Sequence, residues 1–440
     1  MAEAGWSGEE FAKKVNAVGI EAGLTLRYGR ASVTQWNIGS RPRDPVPRLM
    51  AEALSRRLGR KITLATIGFD DSSGCWCEQS LPEQLAELAA AVDSDQYSVS
   101  RVAVYHLAAL DHVDWYSARV RSIVVERRPW PPLSREELEG ATTMVRALAE
   151  VDRIYGSGVL KTTASSYLAQ MIGIWLRSPA GQELRLSLLT VASRLARLNG
   201  FMSFDGEAHG AAQRFYRVSL DLAAESNRPD EYARTLWRMS GQAHYLGHFH
   251  SAIHLAESTA ELRLPPIEEA LILSRIAISR AAAGDREQAL RFIGRAEEIA
   301  VRQDASRGSQ EAGESDECHY GLFVFDKAAM LAHLRDWKGA AESFMESLQY
   351  WSLTERRSRA IALSRLAEMQ LRQGYLDEAA ATWNLFLDFY PSLSSRRLNR
   401  AMSIMKSSLS PHVRNRSAAE LLYRAAHIAQ EGPGDLSVCY

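Results

Sequence analysis

Apolar residues recur at helical spacing over much of the chain. Near the N-terminus, Ser7 and Glu10 form the S-x-x-E pattern of a capping box, in which each side chain bonds the backbone N–H of the other residue. Phe11, Val15 and Val18 then follow three or four positions apart, which places them on one face of a helix. The pattern predicts a helix that begins at about residue 8.

A short second helix is predicted over residues 30–37. Val33 and Trp36 lie three positions apart in it and are expected on its buried side. Gly23 is expected to end the first helix and Gly39 the second, because glycine readily adopts the left-handed backbone conformation that closes a helix.

A proline-rich segment is expected to hold the chain extended before a third helix over residues 48–58. Its prolines are Pro42, Pro45 and Pro47. Two helices joined by a turn, of which the second is short and flanked by arginines, are typical of the helix-turn-helix, whose second helix enters the major groove of DNA.

The remainder of the chain contains an internal repeat. Five segments share the form of a helix, a small turn with Gly or a polar residue, and a second helix that opens with Ala. They are residues 204–216, 244–256, 281–293, 332–344 and 371–383. Aligned, they place alanine at one equivalent position, with spacings of 40, 37, 51 and 39 residues. These alanines are Ala212, Ala252, Ala289, Ala340 and Ala379.

The repeated segments resemble the tetratricopeptide repeat, a helical hairpin whose small residues let neighbouring helices approach closely. The last copy carries the resemblance most fully, with Gly374 at the turn, Ala379 opening the second helix, Trp383 four residues later and Pro391 closing the unit. Such hairpins bury a core only by stacking, so about three or more are needed. The predicted fold is therefore all-α, a helix-turn-helix domain followed by a tetratricopeptide-like α-solenoid.

The predicted division of the 440 residues follows from these patterns. It comprises a DNA-binding domain (1–69), a linker (70–95), a helical connector that starts the array (96–185), the repeats (186–393), and C-terminal capping helices with a tail (394–440). Within it, apolar spacing predicts a helix over residues 136–156 that begins the array. The polar segment 301–318 is expected to be a loop between hairpins.

Charge is unevenly distributed along the chain. Residues 1–69 hold eleven Lys/Arg against six Asp/Glu, net +5, which leaves 41 against 47, net -6, for the rest. A basic N-terminal domain on an acidic body suggests that this domain meets a polyanion. The N-terminus lacks the pattern of a signal peptide, and no apolar run is long enough to span a bilayer, so we expect a cytoplasmic protein without membrane contact.

Two patterns suggest metal or nucleotide chemistry, and neither is complete. Cys75 and Cys77 have the spacing of half a zinc site, but no second pair of ligands follows at the usual distance. Gly158 and Lys161 are reminiscent of a phosphate-binding loop, but the Gly that must directly precede the Lys is missing, and a helix-helix turn is favoured. No cofactor, metal or enzymatic activity is predicted.

Four histidines, His244, His248, His250 and His254, lie within eleven residues. Their spacing of four is compatible with a metal site. They span a predicted turn, however, so they should point in at least two directions. Solvated or core histidines are the favoured interpretation, and a metal site and a pH-responsive cluster remain open as alternatives.

The N-terminal sequence resembles actinobacterial transcriptional regulators that join a phage-repressor-type (XRE) helix-turn-helix to tetratricopeptide repeats. The resemblance is carried by FAKKVNAVGIEAGLTLRYGRASVTQW, RPRDPVPRLMAEALSRRLGRKIT and LARLNGFMSFDGEAHGAAQRFY. It departs from the family in a longer interval between Ala12 and Gly29 and in a nearly absent first helix. Some members repress development and antibiotic production, so the resemblance implies a DNA-binding repressor that works as a homodimer on double-stranded DNA.

Laying Gly29 to Gly39 on the repressor pattern places Arg30, Ala31 and Gln35 at base-contacting positions. Gln35 is suited to adenine, and Arg30 to guanine or a phosphate. The whole predicted DNA-binding set is Arg27, Tyr28, Arg30, Ala31, Thr34, Gln35, Arg41 and Arg43. The alternative function is a repeat scaffold whose N-terminal domain has lost DNA binding and acts through protein contacts alone.

The repeats suggest a groove for a peptide or protein effector. Counting back from the aligned alanines puts arginine at the groove-facing sixth position of three copies, and Asp326 breaks the row in the fourth copy. Arginines in such a row suit a carboxylate or phosphate. The predicted groove residues are Arg194, Arg197, Arg238, Arg275, Arg365, Trp237 and His244. The alternative is that these arginines pair with Asp and Glu of neighbouring helices.

Overall fold

A computed structural model describes residues 1–69, 84, 87, 104–110, 115, 132–306 and 314–431. These residues form α-helices with short 3-10 and π segments, and no strand occurs among them. The all-α class predicted from the helical spacing is therefore confirmed. By contact clustering the chain divides into two compact units, residues 1–147 with 161–263, and residues 148–160 with 264–440.

The first unit begins with three helices: α1 (Gly8–Glu21), α2 (Arg30–Ile38) and α3 (Val46–Leu58). The predicted capping box is present at α1, because the Ser7 side chain and that of Glu10 each accept the other residue's backbone N–H. Gly39 ends α2 at a φ of 111°, as predicted. Both α2 and α3 pack against α1.

The proline segment departs from the prediction. Pro45 is the N-cap of α3 and Pro47 lies in its first turn, so α3 begins at Val46 rather than at Arg48. The physical reason is that the first turn of a helix leaves its N–H groups without intrahelical partners, and proline, which has no N–H, costs nothing there. Pro45 and Pro47 therefore start a helix instead of delaying it.

Further helices of the first unit form antiparallel hairpins. They are α5 (Lys161–Ser166), which continues as a π segment (Tyr167–Ile172), α6 (Gln182–Asp205), α7 (His209–Glu225), α8 (Pro229–Tyr245) and α9 (Phe249–Glu257). Helix α6 packs on α7, α7 on α8, and α8 on α9. Helix α4 (Arg135–Tyr155) is divided by the clustering, which assigns it to the first unit up to residue 147 and to the second unit from residue 148.

The second unit continues the same pattern of hairpins. Its helices are α10 (Pro266–Ala282), α11 (Arg286–Ser306), α12 (Glu314–His333), α13 (Trp337–Tyr350), α14 (Arg356–Arg372), α15 (Leu376–Phe389), α16 (Arg396–Leu409) and α17 (Arg416–Glu431). Successive helices from α10 to α15 contact their neighbours, and α16 contacts α17. In addition, α10 packs on α12, α14 on α16 and α15 on α17. Stacked hairpins of this kind are the solenoid-like arrangement that the repeat predicted.

The five aligned alanines are fully buried in the hairpins. Each of them has 0% of its surface exposed. Five residues before each alanine, the backbone is left-handed, with φ between 54° and 90°. The residues there are Glu207, Gly247, Gly284, Arg335 and Gly374. The repeat therefore specifies a turn conformation as well as a close helix contact, and two copies adopt it without glycine.

Two predicted loops differ in their outcome. The segment 301–318 is helical at both ends, because α11 runs to Ser306 and α12 starts at Glu314. The loop prediction is wrong for those ends, and residues 307–313 lie outside the described residues. Around Gly158, by contrast, the chain forms the predicted turn, and Gly156 has a φ of 85° where its backbone packs on that of Ser394.

Candidate nucleic-acid interface

Helix α2 is held by its inner face. Val33 is 2% exposed. The Trp36 ring packs edge-on against Phe11 of α1, at 6.5 Å between ring centroids, and against Tyr28, at 5.0 Å. The predicted buried side of α2 is therefore present, and the opposite side of the helix faces solvent.

The residues predicted to contact bases lie on that solvent side. Arg30, Ala31, Thr34 and Gln35 are all exposed in α2. The Thr34 hydroxyl donates to the Arg30 carbonyl within the helix, 3.0 Å away. One exposed face of α2 therefore carries a guanidinium, a methyl, a hydroxyl and an amide group.

The predicted phosphate contacts flank this helix on both sides. Arg27 precedes α2, Arg41 and Arg43 follow it, and all three side chains are exposed. Among the described residues, no carboxylate is paired with Arg27, Arg30 or Arg43. The face of α2 and its borders therefore keep cationic side chains available to an anion.

Tyr28 differs from the other residues of the predicted set, because it is half-buried and its backbone is hydrogen-bonded to α1. The Asn16 side chain of α1 donates to the Tyr28 carbonyl, 2.8 Å away, and accepts the Tyr28 backbone N–H at 3.0 Å. These two hydrogen bonds to the backbone fix the segment that leads into α2. Sequence reasoning missed Asn16, whose polar side chain at a half-buried position of α1 was the available signal.

Glu9 is a second residue that the sequence did not reveal. Its Oε2 accepts the backbone N–H of Arg30, 3.2 Å away, at the N-terminus of α2. A helix N-terminus carries partial positive charge and attracts anions. The Glu9 carboxylate therefore occupies the N-terminus of α2, which is the position where a phosphate would bind most readily.

A buried ionic cluster joins α3 to the turn before α9. His248 Nε2 lies 3.0 Å from Glu52 Oε1, and Arg56 donates to the same oxygen at 2.7 Å. Arg56 also forms two bonds to Glu21 of α1. Burial opposes the charge of Arg56, but the two carboxylates outweigh it and raise the pKa of its guanidinium. Tyr105 stacks on the His248 ring at 5.6 Å.

The other histidines of the predicted cluster do not join this network. His244 is half-buried and contacts the Phe249 ring, whereas His250 and His254 are exposed. Groups of three or more metal-ligating side chains are absent from the described part of the chain, which does not include Cys75 and Cys77. The four histidines thus point in different directions, in line with the favoured interpretation.

The predicted cationic groove is closed by ion pairs at its N-terminal end. Arg194 and Arg197 of α6 donate to the two oxygens of Glu231, at 2.6 and 2.5 Å. Glu231 has 0% of its surface exposed. Burial opposes its ionisation, but the charges and hydrogen bonds of Arg197 and Arg194 outweigh burial and lower the pKa of the Glu231 carboxyl.

Two further arginines of the row also have carboxylate partners. Arg275 Nη2 lies 3.3 Å from Asp326 Oδ1, the residue that breaks the row, and Arg365 lies 3.1 Å from Glu368. Asp326 is buried, and a buried carboxylate is stable only beside a cation, so the ion-pair alternative is favoured for Arg275. Arg365 is exposed and pairs only with a half-buried acid of its own helix, so its role in an effector groove stays a prediction.

The three remaining groove residues pack among rings. The Arg238 guanidinium lies 4.3 Å from the centre of the Phe201 ring and 4.7 Å from that of Trp237. Trp237 is 7% exposed and His244 is half-buried. The three residues therefore lie among aromatic rings of α6, α8 and α9, and their role in an effector groove stays a prediction.

The described residues include no helix that is both long and apolar enough to cross a bilayer. Comparison with curated proteins finds no match. The model of one protein family, the SP15 N-terminal domain, matches residues 1–70, the segment that contains α1, α2 and α3. The N-terminal region of this chain is therefore similar to the SP15 N-terminal domain.

Proposed function

We propose that this chain is a non-enzymatic, cytoplasmic transcriptional regulator, a repressor, whose helix α2 binds double-stranded DNA. The observation that carries the proposal is the exposed face of α2. It presents Arg30, Thr34 and Gln35 to solvent, while Val33 anchors the opposite side in the core. A short helix held by one face and open on the other is the arrangement with which repressors read the major groove.

The exposed side chains divide by chemistry. The Gln35 amide matches the N6/N7 edge of adenine, and Ala31 offers a methyl surface suited to a thymine methyl. Arg27, Arg41 and Arg43 border the helix and are suited to phosphates, which position a protein on DNA without reading sequence. We assign Arg30 to guanine or a phosphate, because it lies at the first position of α2.

A single helix of nine residues contacts few base pairs. Repressors of this kind gain specificity by pairing two copies across half-sites about one helical turn apart. We therefore propose a homodimer on DNA. We also propose that the hairpins bind a protein or peptide effector, at a surface that excludes the arginines paired with the buried acids Glu231 and Asp326.

A second candidate function has one observation in its favour. The Glu9 carboxylate occupies the N-terminus of α2, so a phosphate placed there meets a negative charge. This contact favours a scaffold protein whose N-terminal helices make protein contacts only. The two functions differ in whether the purified chain discriminates between duplex sequences.

Sequence selection by the purified full-length chain tests the proposal. A pool of random duplexes is bound, recovered and sequenced, and the selected duplex is then titrated with wild type, Gln35→Ala and Arg43→Ala. Gln35→Ala should cost about 1 to 3 kcal/mol and relax the sequence preference. Arg43→Ala should weaken binding to all sequences alike and lower the slope of log K against log salt by about one, the value of one phosphate contact. No selected sequence, or two variants that bind like wild type, would overturn the proposal.

A further inference from the structure

A short segment that lies outside the helical hairpins packs on α7, α8 and α9. Residues 104–106 are non-helical and residues 107–110 form one 3-10 turn, and together they are hereafter called the strap. Tyr105, Leu107 and Leu110 are each at most 7% exposed and share one hydrophobic core with the three helices. The side chains of the strap therefore hold it on a surface of the hairpins.

The backbone of the strap is held as well, by a buried glutamine of α7. The Gln213 side chain donates from Nε2 to the His106 carbonyl, 2.7 Å away, and its Oε1 accepts the His106 N–H at 3.0 Å. Main-chain hydrogen bonds supply affinity for a peptide whatever its sequence, and pockets for its side chains supply specificity. The strap is bound in both of these ways.

Gln213 departs from the pattern of the repeat. It directly follows the aligned alanine of its copy, and only 3% of its surface is exposed. A buried amide costs free energy unless its hydrogen bonds are made, and the His106 backbone supplies them. The same position is apolar in the other four copies, where it is Ile253, Leu290, Ala341 and Ala380. The first copy therefore presents a group suited to peptide backbone where the others present apolar surface.

The strap also reaches the N-terminal helices. Val104 is 6% exposed and belongs to the hydrophobic core of α1, α2 and α3. The adjacent Tyr105 ring stacks on His248, which lies 3.0 Å from Glu52 of α3. Neighbouring residues of the strap thus contribute to two cores, so its departure would remove contacts from the hairpins and from the N-terminal helices together.

Tyr105 fits its place in the hairpin core incompletely. Its hydroxyl is buried and has no hydrogen-bond partner among the described residues, and the same holds for Nδ1 of the stacked His248. Burial and the Glu52 carboxylate raise the pKa of the Tyr105 hydroxyl, which therefore stays neutral. A buried polar group without a partner costs its desolvation free energy. A peptide with an apolar ring at this place would bind more tightly than the strap does.

We propose that the surface of α7, α8 and α9 around Gln213 is a peptide-binding surface, which the strap occupies within the chain and for which a partner polypeptide competes. The strap defines the chemistry of that partner: a non-helical segment with an aromatic residue, best a phenylalanine, followed two and five positions later by leucine-sized side chains. Displacement of the strap loosens α3. The inference deepens the proposed effector function, on which it rests, and does not depend on DNA binding by α2.

The test is binding of a labelled peptide to the full-length chain, measured by fluorescence anisotropy. The peptide is RVAVYHLAALDH, residues 101–112. It should bind wild type weakly, because the attached strap competes at an effective concentration on the order of millimolar. A strap variant, Tyr105→Ser with Leu107→Ser, should bind the peptide at least about tenfold more tightly than wild type does.

Two changes probe the recognition itself. Adding Gln213→Leu to the strap variant should weaken peptide binding about tenfold, because two hydrogen bonds to the peptide backbone are lost. A peptide that carries Tyr105→Phe should bind the strap variant about fivefold more tightly than the original peptide, because it lacks the unbonded hydroxyl.

Controls separate this site from general loosening of the protein. Leu366→Ser with Met369→Ser removes two buried apolar side chains from α14 in the second unit and should bind the peptide no better than wild type. In the full chain, Tyr105→Phe should slow hydrogen exchange of the His106 amide, whereas Gln213→Ala should speed it. These two single variants decide the matter if the strap variant does not fold.

The outcomes are separable. No gain for the strap variant, an equal gain for the α14 control, or faster exchange in Tyr105→Phe would overturn the inference. Peptide binding that is insensitive to Gln213 would also overturn it, while the proposed effector function would stand with another surface. A wild-type dimer that the strap variant dissolves, seen by mass photometry, would make the strap of a second copy the occupant and exclude an effector here. Failure of sequence selection on DNA would leave this inference standing.

Discussion

His248 Nε2 lies 3.0 Å from Glu52 Oε1, and the two residues are separated by 196 positions in sequence. Both are almost wholly buried, at 2% and 3% exposure. The contact joins the turn before α9 to the middle of α3. Since α3 packs on α1 and α1 carries α2, the first hairpins and the proposed DNA-binding helix are mechanically connected within one compact unit.

Removing one partner of this buried pair should loosen the N-terminal helices. His248→Ala leaves Glu52 with Arg56 alone, and we expect a loss of about 2 to 4 kcal/mol in local stability. The measurement is hydrogen exchange of the α3 and α9 amides, which should speed up in both helices together. His250→Ala, at an exposed position next to the pair, is the control and should stay within about 0.5 kcal/mol of wild type. If exchange rises in α9 only, His248 does not secure α3.

The Glu231 carboxylate should make stability depend on pH in the acid range. Its pKa is lowered from an ordinary value of 4.5, so the folded state binds its proton more weakly than the unfolded state. The stability it contributes is present above about pH 4.5 and is lost as the pH falls through the lowered folded value. Glu231→Gln should therefore lower the melting temperature at neutral pH, and the difference from wild type should shrink as the pH falls below 4.5.

The Glu231 comparison needs a control, since many carboxylates titrate in this range. Glu287 of α11 is exposed, and Glu287→Gln should track wild type at every pH. A difference between Glu231→Gln and wild type that stays constant from pH 7 to about 3 would contradict the assignment, because a constant difference has no titrating component.

The left-handed turns predict opposite effects of glycine in different copies. Arg335 has a φ of 63°, so Arg335→Gly should relieve backbone strain and raise the melting temperature by about 1 to 3 °C. Gly374 has a φ of 90° and open space around an added Cβ, so Gly374→Ala should destabilise through the backbone alone, by about 1 kcal/mol. Gly294→Ala, also in open space but within helix α11, should instead stabilise. Equal effects at positions 374 and 294 would refute the turn argument.

Glu9 should oppose DNA binding. Glu9→Gln removes the negative charge at the N-terminus of α2 while keeping an oxygen that accepts the Arg30 N–H. We expect the Kd for a selected duplex to fall about two- to fivefold, the effect of one charge at a helix end. Glu3→Gln is the matched control, because Glu3 is an exposed acid of the same domain that pairs with Arg60. Unchanged binding by Glu9→Gln, or an equal gain for both variants, would mean that no phosphate approaches the end of α2.

Local sequence signals predicted the helices well. The capping box at Ser7, the stop at Gly39 and the buried position of Val33 all depend on residues within one or two turns of each other. The alanine period located the hairpins for the same reason, because each alanine marks a close contact that recurs in every copy.

Residue spacing alone could not predict which arginines of the row pair with carboxylates. Arg275 and Asp326 occupy equivalent positions in successive copies, and stacking of α10 on α12 brings them together. Opposite charges at one repeat position are therefore a sign of pairing, not of a broken row. The pair of Glu52 and His248 had no such signal, because it depends on how the N-terminal helices pack on a hairpin far along the chain.

The central claim, that α2 places the chain on specific DNA, is tested most directly by crosslinking and genome-wide pull-down of the tagged protein. Wild type is compared with a variant that combines Arg30→Gln, Gln35→Ala and Arg43→Gln, expressed at the same level. We predict discrete promoter sites sharing one sequence for wild type and their loss in the variant. No enrichment by wild type, or the same sites for both proteins, would contradict the claim.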